Sequence, residues 1–233
     1  MAFVSKKDWC GCAVEGKLGL ASDTMGASVS DVTAPNDAGD TVAYTTVDGG
    51  RSPSNTYDIM DDVPFTGSAA LALGTVNTVD GKEYMLTGVN FGTQAGAAST
   101  FSASATDVEA GAETGVVYKL PNFTLPKTHK AALLFSEATL TGSGCNLTQS
   151  QYSASVQPGV DRDEMGVPFA SSPNGGVLTA TLTINQTSST VPTVTAATGW
   201  HISTALTQTN GKGAYPTWTV GLTYYLTRVE PSA

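Results

Sequence analysis

The sequence predicts an all-β protein built from two tandem, related β-sandwich units, each ending in a long β-hairpin, with few or no helices. Three observations support this prediction. The end of the chain alternates strictly between apolar and polar residues, and a weaker copy of the same pattern stands 117 residues earlier. The composition is rich in Thr, Ser, Ala and Gly, and charged residues make up only 13% of the chain against an average of about 25%. Such a composition is typical of sheets with wide, neutral polar faces.

A closing hairpin is predicted over residues 199–228. Apolar positions alternate through its second arm, at Trp218, Val220, Leu222, Tyr224 and Leu226, and the intervening positions are Thr217, Thr219, Gly221, Thr223, Tyr225 and Thr227. This period of two, in residues that suit a pleated surface, predicts a half-buried strand. The first arm alternates in the same way, with Trp200, Ile202, Thr204 and Leu206 on one face. Between the arms, Asn210-Gly211 tolerates the positive φ that a hairpin turn requires.

The weaker copy of this hairpin covers residues 82–106. In an alignment without gaps, Trp218 falls on Phe101 (218 − 101 = 117) and Ile202 falls on Met85 (202 − 85 = 117). The apolar positions keep their phase in both arms, which predicts that the chain contains two related units. We therefore divide it into an N-terminal arm over 1–17, a first unit over 18–120, a linker over 121–126 and a second unit over 127–233. The two prolines of the linker interrupt regular structure.

The same order of elements is predicted in both units: a strand, an acidic loop, a strand, a Gly-Gly turn, a strand, a connection and the long hairpin. The predicted loops and turns of the first unit are 34–40, 49–50 and 51–55, and those of the second unit are 159–166 and 172–176. Residues 67–73 are too few to separate a helical turn from a strand. Residues 131–141 suit a strand pair or one bent strand, and the first half also suits a helix.

The charge and the cysteines limit the classes of function. The formal net charge is −9, and the 11 Lys and Arg residues are scattered. This argues against binding of a nucleic-acid backbone over an extended face, and it suits DNA that must slide past without sticking. No apolar stretch is long enough for a signal peptide or a membrane span, so we expect a protein made in the cytoplasm. Cys10, Cys12 and Cys145 are predicted to be thiols.

Two sets of residues were considered as metal sites. Asp161, Asp163 and Glu164, followed by Gly166, resemble the opening of a calcium loop. Met165 stands where a third oxygen ligand belongs, however, and no bidentate Glu follows, so an acidic turn is the favoured interpretation. The Cys10-Gly-Cys12 pair lacks partners near in sequence, since His129 and His201 are distant and structural zinc requires four ligands. We predict no metal and no cofactor.

No catalytic signature stands out. The sequence contains no Gly-x-Ser-x-Gly elbow, no phosphate loop and no dinucleotide fingerprint. A pair of carboxylates suited to glycoside hydrolysis is not singled out either. We therefore predict that the protein is not an enzyme. A glycan-binding or cell-surface-binding module stays open as an alternative, and it would have to use Tyr215 and Tyr225, because Trp200, Trp218 and Tyr224 lie in the apolar phase of their strands.

The tandem units, the acidic loops at Asp37–Asp40 and Asp161–Glu164, the Gly-Gly turn and the closing hairpin resemble a tailed-bacteriophage virion protein, most closely a tail tube protein. The resemblance implies β-sandwich domains whose sheets join between subunits into a ring. A chain with two such units would form a ring of three copies with pseudo-sixfold symmetry. The rings would stack through long hairpins and terminal arms, beside other virion proteins. DNA would pass through an acidic lumen as non-specific cargo, with no membrane involved.

This resemblance places the protein in the virion and assigns the loop of the closing hairpin to the contact between rings. The residues of this assembly loop are Gln208, Thr209, Asn210, Gly211, Lys212, Gly213 and Ala214. Tube domains also carry a helix on the sandwich, for which only residues 67–73 and 130–135 are candidates here. A capsid or tail decoration protein is therefore kept as an alternative role.

Overall fold

A computed structural model describes residues 6–35, 41–108, 116–162, 168–211 and 215–230. These residues are nearly all β, which confirms the predicted fold class. Apart from the 3-10 turn Gly67–Ala69, no helix occurs in the described ranges. The strands, in chain order, are β1 Leu18–Pro35, β2 Thr41–Ile59, β3 Val63–Phe65, β4 Ala72–Leu73, β5 Val76–Val79, β6 Lys82–Gln94, β7 Ala97–Asp107, β8 Val117–Lys119, β9 Phe123–Leu125, β10 Ala138–Thr141, β11 Cys145–Arg162, β12 Pro168–Gln186, β13 Thr193–Ala196, β14 Trp200–Thr209, β15 Thr217–Tyr225 and β16 Arg228–Val229.

One large antiparallel sheet dominates the molecule. Its strands follow the order β1-β2-β7-β6-β11-β12-β15-β14, and β5 pairs with the start of β6. The order of the first four strands is the order of the last four, because β1, β2, β6 and β7 correspond to β11, β12, β14 and β15. We call these sets the first half and the second half of the sheet. The pairing of β6 with β11, which joins the halves, is called the seam.

The two halves agree in register as well as in order. Tyr57 lies opposite Phe101 in the first half, and Ile184 lies opposite Trp218 in the second. Tyr57 and its counterpart Ile184 are 127 residues apart in sequence (184 − 57), and Phe101 and its counterpart Trp218 are 117 apart (218 − 101). The spacing that relates β7 to β15 is therefore the one predicted. The extent of separate sandwich units, 18–120 and 127–233, stays a prediction.

The predicted Gly-Gly turns are wrong, because both glycine pairs lie inside continuous strands. The pairing of β1 with β2 steps from Ala27↔Arg51 to Val29↔Asp48, so two glycines on β2 oppose one residue on β1. The same step occurs between β11 and β12, beside Gly175 and Gly176. Gly50 and Gly175 have φ values of 85° and 63°. Positive φ at glycine is the geometry of a β-bulge, which bends a strand without ending it.

The predicted alignment of the first hairpin arm is wrong by one residue from Trp200 to Thr204. Tyr84 opposes Asp107 and Trp200 opposes Tyr224, so Trp200 corresponds to Tyr84 (200 − 84 = 116). Ile202 therefore matches Leu86, and both residues precede a register shift. The extra residue of the second hairpin lies within β14, at the register shift between Thr204 and Thr207, and an alignment without gaps does not detect it; from Thr207 to Thr209 the predicted spacing of 117 holds. A one-residue slip exchanges the two faces of a strand.

A second layer covers one face of the large sheet, in a sandwich-like arrangement. It consists of three small sheets, β3-β9, β10-β13 and β16-β8-β4, together with residues 6–17. The core between the layers is aromatic: Phe91 stacks on Phe123 and Tyr152 with centroid distances of 4.8 and 5.3 Å. Phe65 stacks on Phe101 and Phe123 at 5.6 and 4.9 Å.

Several local predictions need correction. The predicted loop at 51–55 is part of β2, and the loops at 34–40 and 159–166 begin later than predicted, because β1 runs to Pro35 and β11 to Arg162. Residues 67–73 form the 3-10 turn and β4, while 131–137 are irregular and only 138–141 form a strand. Three residues of the predicted linker form β9, which pairs with β3. The acidic residues Asp37 and Asp40 lie outside the described residues.

Candidate functional site

The sheet has two open edges, β1 and β14. In the described ranges, β1 pairs with β2 and, through one bridge at Leu18, with Val14, whereas β14 pairs only with β15. Beyond Ala21, whose carbonyl accepts from the Lys6 ammonium group, the outer side of β1 has no partner strand in the described ranges, and neither has the outer side of β14. The edges carry little charge. Residues 18–28 contain one charged residue, Asp23, and the only titratable residue of β14 is His201. Edge strands that avoid association usually carry lysine, proline or inward-pointing charge, so these edges are suited to pairing with another strand.

The predicted assembly loop lies at the end of β14. Gln208 and Thr209 are the last residues of the strand, and Asn210 and Gly211 follow it. All four are exposed, and the Gln208 side-chain amide donates to the Asn210 side-chain oxygen at 2.9 Å. Lys212, Gly213 and Ala214 lie outside the described residues. The loop thus lies at one corner of the large sheet, beside an open edge.

Two long β-ribbons leave the sheet at the end opposite this loop. Pairing of β2 with β7 covers only residues 54–57, yet β1 and β2 remain paired as far as Pro35↔Thr41. Likewise β11 and β12 remain paired as far as Arg162↔Pro168, well beyond the part of β11 that contacts β6. Both ribbons begin at the glycine bulges. Sequence analysis missed them because it interpreted the bulges as turns.

Exposed apolar side chains lie at the other end of the sheet, where the assembly loop lies. Met60 follows β2, Val191 follows β12 and Tyr215 precedes β15, and they are 46%, 55% and 65% exposed. Met60 and Val191 follow equivalent strands of the two halves. Ile202 and Tyr225, which are 49% and 67% exposed, lie towards the ribbons. Exposed apolar side chains therefore occur at both ends of the sheet.

The face of the large sheet that has no covering layer is polar and nearly uncharged. Its strands alternate buried core residues with residues of the open face, as in Leu178, Ala180 and Leu182 against Thr179 and Thr181. The other positions of this face across the sheet centre are Asn90, Thr100, Ser102, Gln151, Ser153, Thr219 and Thr223. Of the described residues, charged side chains occur on it only at Asp58 and Glu83, near its opposite ends. The result is a broad surface of hydroxyl and amide groups.

The seam is closed on its covered face by a hydrogen-bonded network. The Thr93 and Ser150 hydroxyls are 2.8 Å apart across β6 and β11. Ala132 of the segment that crosses them donates its N–H to Thr93 at 2.9 Å and accepts from Ser150 at 2.6 Å. The Tyr152 hydroxyl accepts from the Leu134 N–H at 3.0 Å. Residues 132–134 are thereby fixed over the junction of the two halves.

A buried carboxyl group completes this network. Glu137 is fully buried; it accepts from the Tyr152 hydroxyl and, at 3.1 Å, from the Phe135 N–H. Burial raises the pKa of Glu137, and hydrogen bonds from the Tyr152 hydroxyl, its own N–H and the Phe135 N–H oppose this effect. Burial also raises the pKa of Tyr152, and the neighbouring carboxylate adds to the increase. Sequence analysis missed this residue, because no local pattern distinguishes Glu137 from a surface glutamate.

Cys10 and Cys12 belong to the packing of the N-terminal segment. Both are buried thiols, and Cys145 is a half-buried thiol, so the prediction of three thiols agrees with the structure. Burial raises the pKa of Cys10 to about 12 and raises that of Cys12 further, so neither is a thiolate near neutral pH. Asp8 accepts from the Tyr57 hydroxyl at 2.5 Å. The segment lies on its own sheet, where Cys10 N–H donates to Asn55 at 3.0 Å.

The structure does not assemble the other candidate sites. No group of three or more His, Cys, Asp or Glu suited to a metal ion occurs in the residues that it describes. Asp161 pairs with Ala170 within a ribbon, whereas Asp163, Glu164 and Gly166 lie outside the described residues. Tyr215 and Tyr225 are 65% and 67% exposed. Trp200 is buried, and Trp218 and Tyr224 are half-buried on the core face.

Comparison with known proteins adds no assignment. No protein-family model matches the chain, and no curated protein matches it either. The described residues form no helix that is long and apolar enough to cross a membrane.

Proposed function

We propose that the chain is a structural virion protein that self-assembles through its sheet edges into rings, which stack into a tail tube that DNA passes through. One observation carries this proposal: the sheet repeats the same four-strand order twice, and in the described part of the chain no strand pairs with the outer side of β1 or β14. The seam is a contact between the last strand of one half and the first strand of the next. The edge strands β14 and β1 are the counterparts of β6 and β11, and each lacks the neighbour that its counterpart has in the seam. Repeated heterologous contact of this kind closes into a ring or extends without limit.

Three copies are the number that the tube resemblance implies. Each copy contributes the eight strands of the main path, so three give a closed wall of 24 strands (3 × 8). At about 4.8 Å between strands, the backbone radius is about 18 Å before the strands tilt, and tilt widens it. A covering layer occupies about 10 Å. The covered face is therefore assigned to the outside, since a layer on the inside would fill most of the bore.

The polar face then lines the lumen. Its central band is uncharged in the described residues, with Asp58 and Glu83 near the two ends. The resemblance alone implies a more strongly acidic lumen. Binding of DNA is driven by Lys and Arg side chains that displace counterions from its phosphates. A surface of hydroxyl and amide groups lacks such cations, so DNA can pass along it without being retained. The protein would have no catalytic role and no cofactor.

Stacking of rings uses the two ends of the sheet. The ribbons extend from one end, and the exposed Met60, Val191 and Tyr215 lie with the assembly loop at the other. Residues 41–47 of one ribbon include Val42, Ala43, Tyr44 and Val47. Head-to-tail stacking would bring this ribbon against Met60, Val191 and Tyr215 of the next ring. The assembly loop Gln208–Ala214 is proposed to lie in this contact.

Electron microscopy of negatively stained purified protein, with mass photometry of the same sample, tests the proposal. We expect rings or hollow tubes, and a ring mass of three chains. In a variant whose residues 210–214 are replaced by Asn-Gly, we expect a folded protein that forms rings and no tubes, because only the contact between rings is shortened. A control variant keeps the loop length with a Gly/Ser sequence. Tubes of normal length from the shortened variant contradict the role of the loop.

Binding of a glycan is a second candidate function, and it would use Tyr215 or Tyr225 separately, because these exposed residues stand at opposite ends of β15. Aromatic rings on a surface suit stacking against a sugar. If this function is correct, titration with oligosaccharides quenches tyrosine fluorescence, and a Tyr225→Ala variant loses part of the response. A monomer that shows no response and instead binds capsids or tails would point to a decoration protein.

A further inference from the structure

The strands that form the seam have counterparts at the two open edges of the sheet. Within the seam, seven consecutive residues of β6 oppose seven of β11, from Gly88↔Ser155 to Gln94↔Gln149. The equivalent of β6 is β14, and the equivalent of β11 is β1. Each chain thus contains one complete copy of the contact and the two separate halves of another. The register of the missing contact follows from the residue correspondence.

The correspondence is fixed by the inner neighbour of each edge strand. Tyr152 opposes Ala180 on β12, and Met25 opposes Pro53 on β2. Each residue of the first pair stands 127 positions after its counterpart in the second pair (152 − 25 and 180 − 53). Phe91 opposes Phe101, and Gln208 opposes Trp218. Each residue of the second pair stands 117 positions after its counterpart in the first pair (208 − 91 and 218 − 101). Met25 is therefore the counterpart of Tyr152, and Gln208 is the counterpart of Phe91. Phe91 and Tyr152 are direct partners in the seam.

We infer that β14 of one copy pairs antiparallel with β1 of a second copy, with Gln208 opposite Met25, Thr207 opposite Gly26 and Thr209 opposite Thr24. This inference rests on the proposed function and specifies its contact. The partner is a second copy of this chain. In this register the covered faces of the two copies become continuous, because Met25 and Gln208 both lie on the core side of their strands, and Gly26 and Thr207 both lie on the open side.

Burial agrees with this assignment. Met25 is 37% exposed, whereas its seam counterpart Tyr152 is 2% exposed. Phe91 is also 2% exposed, and its counterpart Gln208 is exposed. Positions that are core at the seam are thus surface at the edges. The backbone of β1 is accessible at Thr24, Met25 and Gly26: the described contacts of the N-terminal segment nearest to them are the Lys6 ammonium group on the Ala21 carbonyl and the Lys7 N–H on the Asp23 carboxylate at 3.2 Å.

Cysteine pairing tests the register. Two variants, Met25→Cys and Gln208→Cys, are prepared separately, mixed and oxidised. Residues directly opposite on paired strands have Cβ atoms about 4.5–5.5 Å apart, close to the separation that a disulfide spans. We expect a disulfide-linked dimer in the mixture that forms in neither variant alone. A chain carrying both substitutions gives a ladder whose last rung equals the number of subunits in the ring.

Thr207→Cys is the matched control, because it lies one residue away and on the opposite face of β14. Linkage of Met25→Cys to Gln208→Cys and not to Thr207→Cys supports the inference. If rings or tubes form and the Gln208 pair does not link, or if the Thr207 pair links instead, the inference is wrong and the tube proposal stands. If neither linkage nor any assembly is found, both are wrong. Both positions are exposed, and circular dichroism verifies that the variants fold.

Discussion

Substitution of Phe91 by alanine is expected to destabilise the protein by about 3–5 kcal/mol, the usual cost of removing a buried aromatic side chain. Phe91 is 2% exposed, and its ring contacts those of Phe101, Phe123, Phe135 and Tyr152. It stacks on Phe123 of the covering layer at 4.8 Å and on Tyr152 across the seam at 5.3 Å. The cavity would therefore open where the halves of the sheet and the second layer meet.

Urea unfolding of the two proteins measures this effect. A matched control is Tyr225→Ala, which removes an aromatic ring that is 67% exposed on the same sheet; a surface change of this kind is expected to stay within about 0.5 kcal/mol. We expect a single transition in both variants, because Phe91 links the halves through the seam. Equal midpoints for Phe91→Ala and Tyr225→Ala would show that this part of the core is not packed as described.

The second large effect is a dependence of stability on pH that originates at Glu137. Burial raises its pKa in the folded protein above the value in the unfolded chain, so the folded state binds this proton more tightly. The stabilisation is complete below the unfolded pKa, about 4.3, and is lost as pH rises through the folded pKa. Each unit of difference between the two pKa values corresponds to about 1.4 kcal/mol.

Comparison with Glu137→Gln isolates this contribution from the other carboxylates. The free energy of unfolding of the wild type minus that of the variant is expected to fall as pH rises above about 4.3. Tyr152 is the titratable group in hydrogen-bond contact with Glu137. Glu83→Gln, a change at an exposed carboxylate, serves as the control for the loss of one negative charge. A flat difference for Glu137→Gln would contradict the raised pKa.

Local alternation in the sequence predicts much of this fold. The all-β class and the face of β15 follow from a period of two, because each strand of the sheet buries one face under the second layer. The repeat also follows, since Phe101 and Trp218 are equivalent in β7 and β15. These features depend on residues near in sequence, or on one spacing held constant along the chain.

The features that the sequence does not predict depend on three-dimensional context. A Gly-Gly pair suits both a turn and a bulge, and only the partner strand decides between them, as at Gly50 and Gly175. The ribbons were missed for this reason. The seam joins β6 to β11 across more than fifty residues (149 − 94), and neither strand carries a local signal for the pairing. The burial of Glu137 becomes evident only from the folded chain, in which Tyr152 and Phe135 donate hydrogen bonds to its carboxylate.

The seam also has a kinetic consequence. Two strands tethered on one chain meet at an effective concentration that the connecting segment sets, in the millimolar range for short flexible connections. The contact between β6 and β11 therefore forms during folding, whatever the amount of protein in solution. In a ring built from such chains, every second junction is already made before any two molecules meet. Association then has half as many concentration-dependent steps as a ring of single-unit subunits, so dilution delays only the junctions between β14 and β1.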